Sequence, residues 1–333
     1  MGFMAAFSAG GWAILAGWIF PSLVVTTIAS FFLIPALSGY ATVDVLLQQS
    51  LAERTSVIAG VAVALGLLLS TVSKPLYRVL EGYSLLPGTK RQKWILANIP
   101  KKQANWNEYE RAMDDGNLLK AGLFLERCQT YPVDDSDVRP TRLANQIAAF
   151  ETYGWNRYQL DVVTSWEGLV ACGPAELRKT EERTRAGVDF FVSLIYLSLL
   201  LAILSIATAL FSRSGYLIPG LVLAALSGLS TLLWYRLAVI AAGDWGGAVR
   251  AIVDVGRLQF AESLGLQVPH SLAAERDMWR KYNWLRKYPY DDERSADLEP
   301  YRLDPSTSGR PTCSGETKRK GLPRSGLASE RDP

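Results

Sequence analysis

Charged side chains are absent from four stretches of this chain: Met1 to Val43, Thr55 to Ser73, Phe190 to Ser212 and Ser214 to Tyr235. A run of about 20 apolar residues, rising about 1.5 Å each, matches a hydrocarbon core about 30 Å thick. The pattern predicts an all-α, polytopic membrane protein. Its spanning helices form two hairpins, and a helical cytoplasmic domain lies between them.

The third stretch carries the strongest signal, with 14 of the 22 residues from Phe190 to Phe211 being Leu, Ile, Val or Phe. Its span is placed at about 190–211. The fourth, at about 217–237, tolerates Pro219 in its first turn. The link between them contains Arg213 and is too short for anything but an antiparallel return. The first hairpin, residues 1–73, places spans at about 18–40 and 55–73, with the opening residues lying in the interface. Pro21 and Pro35 interrupt the first stretch, which is long enough to cross once or twice.

Basic residues Lys74, Arg78, Arg178, Lys179, Arg183 and Arg185 flank one side of the spans. Each link on the other side has a single arginine. The positive-inside bias then places residues 74–187 and everything after 238 in the cytoplasm, together with both termini. Tyr77, Arg78 and Tyr83 at one boundary, and Trp234, Tyr235 and Arg236 at another, read as interfacial anchors.

Within 74–187, apolar residues recur at helical spacing. Trp106, Tyr109, Met113 and Leu123 suggest one long helix ending before Tyr131-Pro132. A second starts after Pro140 with Thr141 as its cap, and a third runs through Leu160, Val163, Trp166 and Val170 to Gly173-Pro174. From Pro174 the chain should continue as one helix into the third span. Residues 239–290 predict amphipathic helices, one to about Leu266 and one over Ser271 to Tyr288. The composition of 291–333 predicts a disordered tail.

Composition narrows the chemistry. Charged residues make up 20% of the chain and the net charge is +3. That small, scattered excess predicts no nucleic-acid footprint. Cys128, Cys172 and Cys313 show neither disulfide nor metal spacing and read as reduced thiols. The start of the chain does not read as a secretory signal, and Ala6 breaks the myristoylation pattern. The single histidine, His270, makes any histidine-dependent nucleophile rest on one turn residue. Asp134-Asp135-Ser136-Asp137 lacks the glycine and closing glutamate of a calcium loop. No phosphate-binding glycine motif is present. No cofactor or metal is implied.

The most unusual cluster joins Arg142 and Asn145 to Tyr153, Trp155, Arg157, Tyr158 and Trp166. Aromatic faces beside guanidinium groups can bind an anionic headgroup, a nucleotide base or another protein. The competing reading is a helix–helix corner in which Arg142 or Arg157 pairs with Asp161 or Glu167. Small residues four apart, at Ala13–Gly17, Gly60–Ala64, Gly66–Ser70 and Ala224–Gly228, would permit close helix packing within or between subunits.

Ser73 to Tyr83, Arg139 to Asn145, Tyr153 to Trp166, and Leu264-Gly265-Leu266 followed by Pro269 together resemble an uncharacterised group of bacterial four-span membrane proteins. The resemblance covers about 70–290. It implies a bacterial plasma-membrane protein with a helical cytoplasmic domain, and no activity.

These features favour a non-enzymatic, membrane-anchored scaffold or sensor. It would bind a cytoplasmic protein partner and self-associate in the bilayer. An oligomeric channel or membrane-disrupting pore is the alternative. A lipid-modifying enzyme comes third; it would need an interfacial acid from Asp44, Glu81 or Asp189, and of these Glu81 has the most suggestive setting.

Overall fold

The computed structural model describes residues 11–84, 87–212, 216–289, 291–292 and 297–303. All named elements among them are helical. Helix α1 spans Trp12–Ala36, α2 Ala41–Gln48, α3 Leu51–Thr71, α4 Ser73–Leu80, α5 Gly88–Asp114 and α6 Leu118–Cys128. Then come α7 (Arg142–Glu151), α8 (Tyr153–Tyr158), α9 (Val162–Cys172), α10 (Ala175–Phe211), α11 (Leu217–Ser263) and α12 (Leu272–Lys287). Helices α1, α3, α10 and α11 are long and apolar enough to cross a membrane.

These four pack side by side in the order α3, α1, α10, α11. Glycines set the close approaches. A Cβ on Gly66 would lie 2.8 Å from Ile19 Cα, and one on Gly17 would lie 2.8 Å from Asp189 Cβ. At the far end of the α10–α11 pair, a Cβ on Gly220 would meet Ala209 Cβ at 2.7 Å. Of the small-residue pairs, Gly17 and Gly66 therefore serve packing within the chain. Gly60 and Gly228 have nothing within 4 Å of an added Cβ. The outward faces of α10 and α11 carry Ile203, Leu210, Leu229, Leu232 and Ile240, all exposed. Such a broad apolar surface is what lipid contact requires.

Several boundaries differ from the periodicity reading. Helix α1 begins at Trp12 rather than near Trp18 and ends at Ala36, short of Tyr40. A π-turn over Leu15–Ile19 directly precedes Pro21. The wider turn accommodates a residue that cannot donate to the helix ladder, so Pro21 does not break the helix. The first link holds the short helix α2. The single long helix expected through Trp106 and Leu123 is two, α5 and α6. The break falls at Gly116, where φ is +68°, and Asn117 caps α6 by accepting from Lys120 N at 3.0 Å. The fourth apolar stretch and the amphipathic segment behind it form one 47-residue helix, α11. Gly243, Gly246 and Gly247 do not interrupt it, and Gly246 lies under the Phe150 ring. Helix α10 runs unbroken through Gly187, as expected.

The charged part has two cores. In one, Leu160, Leu169, Ile252, Val253 and Met278 surround a Phe260–Trp279 stack at 5.9 Å, with Tyr282 edge-on to both rings. In the other, Leu143, Ile147 and Phe150 of α7 pack on Val188, Val192, Ala242 and Val249 of α10 and α11, with Trp18 alongside. Part of the tail expected to be disordered docks here. Leu298 is buried, Gln267 N donates to Tyr301 O at 2.7 Å, and Leu303 N donates to Gly265 O at 2.9 Å. Two apolar side chains in a polar segment suffice because the α9–α12 core offers them a place. Residues 293–296 and 304–333 of that tail, Cys313 among them, lie outside the described residues, as do Arg213 and the opening residues 1–10.

Candidate functional site

The aromatic–arginine cluster is mostly turned inward. Gly154 must lack a side chain, since a Cβ there would sit 2.2 Å from Val162. That close turn brings the Tyr153 and Tyr158 hydroxyls onto one carboxylate of α11, donating to Asp254 at 3.0 and 2.8 Å. The Arg257 guanidinium lies 4.0 Å from the centre of the Tyr158 ring and pairs with Glu275 at 2.8 Å. Burial, then the bond to Asp254, push the Tyr158 hydroxyl up to about 12. Asp161 pairs with Lys287 at 2.7 Å, so the corner is held by α11 and α12 and not by Arg142 or Arg157.

Asn145 is buried, accepting from Arg139 N at 2.7 Å and donating to the Arg139 and Thr141 carbonyls. Trp166 is half-buried between the two cores. Arg142 stands exposed on α7. Trp155 is exposed and Arg157 beside it holds its guanidinium 5.9 Å from the Tyr153 ring. The cluster thus divides into a bonded interior and a small surface patch of Trp155 and Arg157.

The anchor residues divide as well. Trp234 donates to Ser198 Oγ at 3.1 Å between α10 and α11, and the Tyr235 hydroxyl accepts from Leu143 N at 3.4 Å. Arg236 is exposed. Arg139 lies over the Tyr83 ring at 5.6 Å. Tyr77 and Arg78 belong to a different feature, a cleft of about 560 Å³ at the junction of the long helices and the charged part.

Its walls come from α1, α3, α4, α7, α10 and α11. Five carboxylates line it (Glu81, Glu151, Glu181, Glu182 and Asp189) against three cations, Lys74, Arg78 and Arg185. Two hydrogen bonds fasten α4 to α10, from Tyr77 to Asp189 at 2.8 Å and from Tyr196 to the Leu76 carbonyl at 2.7 Å. The Trp245 indole donates to buried Glu181 at 2.9 Å, and Arg185 stands 6.0 Å from its ring. Glu81 follows α4, and no hydrogen bond or ion pair reaches its carboxylate from the described residues. Burial first, then the negative charge of Glu151, push the Glu81 carboxyl up to about 7, with Arg139 and Arg78 opposing. Burial also raises Glu151, with Arg139 opposing.

Chemically, such a cleft attracts a cation. Its carboxylates exceed its positive groups, two of them, Glu81 and Glu151, repel each other, and two indole side chains line it. Among the described residues no group of three or more His, Cys, Asp and Glu is arranged to hold a metal ion. Sequence reasoning found Glu81 and Asp189 as acids near an apolar boundary, and Tyr77 and Arg78 as anchors. It missed Glu151, Glu181 and Trp245. One signal was available: Glu181, Arg185 and Asp189 recur every four residues just before the third apolar stretch, which puts them on one helical face.

Comparison with family models, with curated proteins and with solved structures gives no match for this chain.

Proposed function

We propose that this chain is a non-enzymatic, multi-pass protein of a bacterial plasma membrane that recognises a basic group on a cytoplasmic partner through the cleft between α4, α7 and α10. In this reading α1 with α3, and α10 with α11, are two transmembrane hairpins. The charged helices form a cytoplasmic domain, and both termini are cytoplasmic. Support for the orientation comes from Lys74, Arg78, Arg178, Lys179, Arg183 and Arg185, which gather at the cleft end of the long helices. Labelling of Leu217→Cys by an impermeant thiol reagent outside the cell checks it, and protection there overturns it.

One observation carries the recognition role: five carboxylates against three cations line one open cleft, and the half-buried Glu81, repelled by Glu151, has no hydrogen bond or ion pair among the described residues. A lysine or arginine from a partner would relieve that repulsion on entering. The Trp155–Arg157 patch is the competing surface.

A photo-crosslinking residue at Ser73, in the cleft, and another at Trp155 compare the two sites in native membranes. The cleft probe should capture a protein, and E81Q/E151Q should cut that adduct several-fold while insertion stays unchanged. Capture only from position 155, or a cleft adduct indifferent to E81Q/E151Q, would refute the assignment.

A further inference from the structure

At the opposite end of the long helices, α3 and α10 stand on either side of α1 and leave a groove of about 890 Å³. Its floor runs from Val25 to Leu37 and one wall from Leu197 to Thr208. At 1.5 Å per residue these are about 18 and 17 Å. Half of a hydrocarbon core is about 15 Å. The groove therefore reaches from one surface of a bilayer to near its middle, the depth of a single leaflet.

Among the described residues, Arg54 is the one charged side chain that lines it. It lies in the first turn of α3, where that helix would enter the membrane. Its Nε donates to the Gln49 carbonyl at 3.1 Å and its Nη2 to the Leu47 carbonyl, which fixes the guanidinium at the groove's mouth. Glu53 next to it is engaged by Ser50, at 2.8 Å from both the backbone N and the hydroxyl, and Asp44 accepts from Gly39 N at 3.0 Å. Neither acid pairs with Arg54, and among the described residues its Nη1 makes no hydrogen bond.

From this we infer that the groove is a binding site for one anionic phospholipid of the adjoining leaflet, its acyl chain along α1 and its phosphate on Arg54. Leaflet depth, an apolar interior and one fixed cation at the headgroup level are the three features such a molecule matches. The inference rests on the four long helices crossing a bilayer, and it is independent of the cleft.

The full chain is reconstituted with equal phosphatidylglycerol and phosphatidylcholine, extracted in mild detergent, and its retained lipid is read by native mass spectrometry. Wild type should hold one phospholipid per chain, phosphatidylglycerol about fivefold over phosphatidylcholine, the ratio that about 1 kcal/mol from one surface arginine gives. R54Q should keep a lipid but bring the ratio near one. Val57 and Val61 are exposed in the groove wall, so V57W and V61W should each lose the lipid while retaining wild-type helix content. No headgroup preference in wild type, a free fatty acid in place of a phospholipid, or full retention in both tryptophan variants would overturn the assignment. A chain that stays in solution without detergent after high-speed centrifugation would instead defeat the membrane reading, which an inserted chain holding no lipid leaves intact.

Discussion

Replacing Glu81 with glutamine should stabilise the protein above neutral pH and do little in acid. The Glu81 carboxyl moves from its ordinary 4.5 to about 7 in the folded chain, so folding favours its protonated form. The sign follows from linkage. Stability from this group is fully present below about pH 4.5 and is lost as pH rises through about 7. A shift of that size corresponds to at most about 3.4 kcal/mol at 1.36 kcal/mol per pH unit. Glu81 is only half-buried and opens on water, which brings the figure to about 1.5–2 kcal/mol. Glutamine resembles the neutral acid in shape and carries no charge to repel Glu151. Thermal unfolding of detergent-purified protein, followed by tryptophan fluorescence between pH 4.5 and 8, reads the difference. At about 2 °C per kcal/mol for a chain of this size, E81Q should unfold at nearly the wild-type temperature at pH 4.5 and about 3–4 °C above it at pH 8. E151Q, by removing the neighbouring charge, should shift the wild-type transition to lower pH. If the gap between E81Q and wild type stays constant with pH, or widens in acid, Glu81 does not sit in the environment described.

At the Tyr153–Tyr158–Asp254 junction, D254A should destabilise by about 2–3 kcal/mol, since it strands two half-buried hydroxyls that now donate to a carboxylate. Denaturant titration should show Y153F and Y158F each costing about 1 kcal/mol in wild type and much less in the D254A background; equal costs in both would mean that the tyrosines act elsewhere. Among the long apolar helices, G66L should lower the unfolding temperature by the equivalent of about 1–3 kcal/mol, because its side chain would enter the α1 backbone at Ile19, whereas G60L should change it little. Equal effects of the two leucines would contradict the α1–α3 crossing.

The apolar stretches announced their helices well because no competing signal exists in a run of 19 or more uncharged residues. The boundaries were less legible. Pro21 looked like an interruption because a sequence does not show a π-turn absorbing it. Trp106 and Leu123 looked like one helix because Gly116 and Asn117 mark a break only when the αL turn and its cap are in view. The join of the fourth span to the helix behind it was hidden by three glycines that usually weaken a helix, one of which Phe150 covers. The aromatic–arginine cluster was visible as composition, yet its meaning lay in Asp254, about a hundred residues downstream. Nothing local connects Tyr153 to Asp254. The cleft suffered likewise: Glu81, Glu151 and Glu181 come from three separated parts of the chain, and only packing brings them together.

Two acid clusters built from similar residues now lie in one molecule, and their different states argue for different roles. Around Asp254 the two tyrosines donate, while Arg257 stacks on Tyr158 and spans to Glu275. Buried polar groups satisfied in this way rigidify a core and leave little for a ligand to improve. Around Glu81 the carboxylates outnumber the cations, and its carboxyl is raised first by burial and then by Glu151, with Arg139 and Arg78 opposing. Packing alone gains nothing from that arrangement, for an apolar or amide side chain there would be more stable at neutral pH. A cationic partner changes the comparison, because its entry converts a cost of the free protein into binding energy. The cleft also adjoins the start of α1, α4 and the Glu181–Asp189 stretch of α10, with Tyr77 and Tyr196 fastening α4 to α10. Occupation of the recess would therefore bear directly on three helices that lead into the bundle.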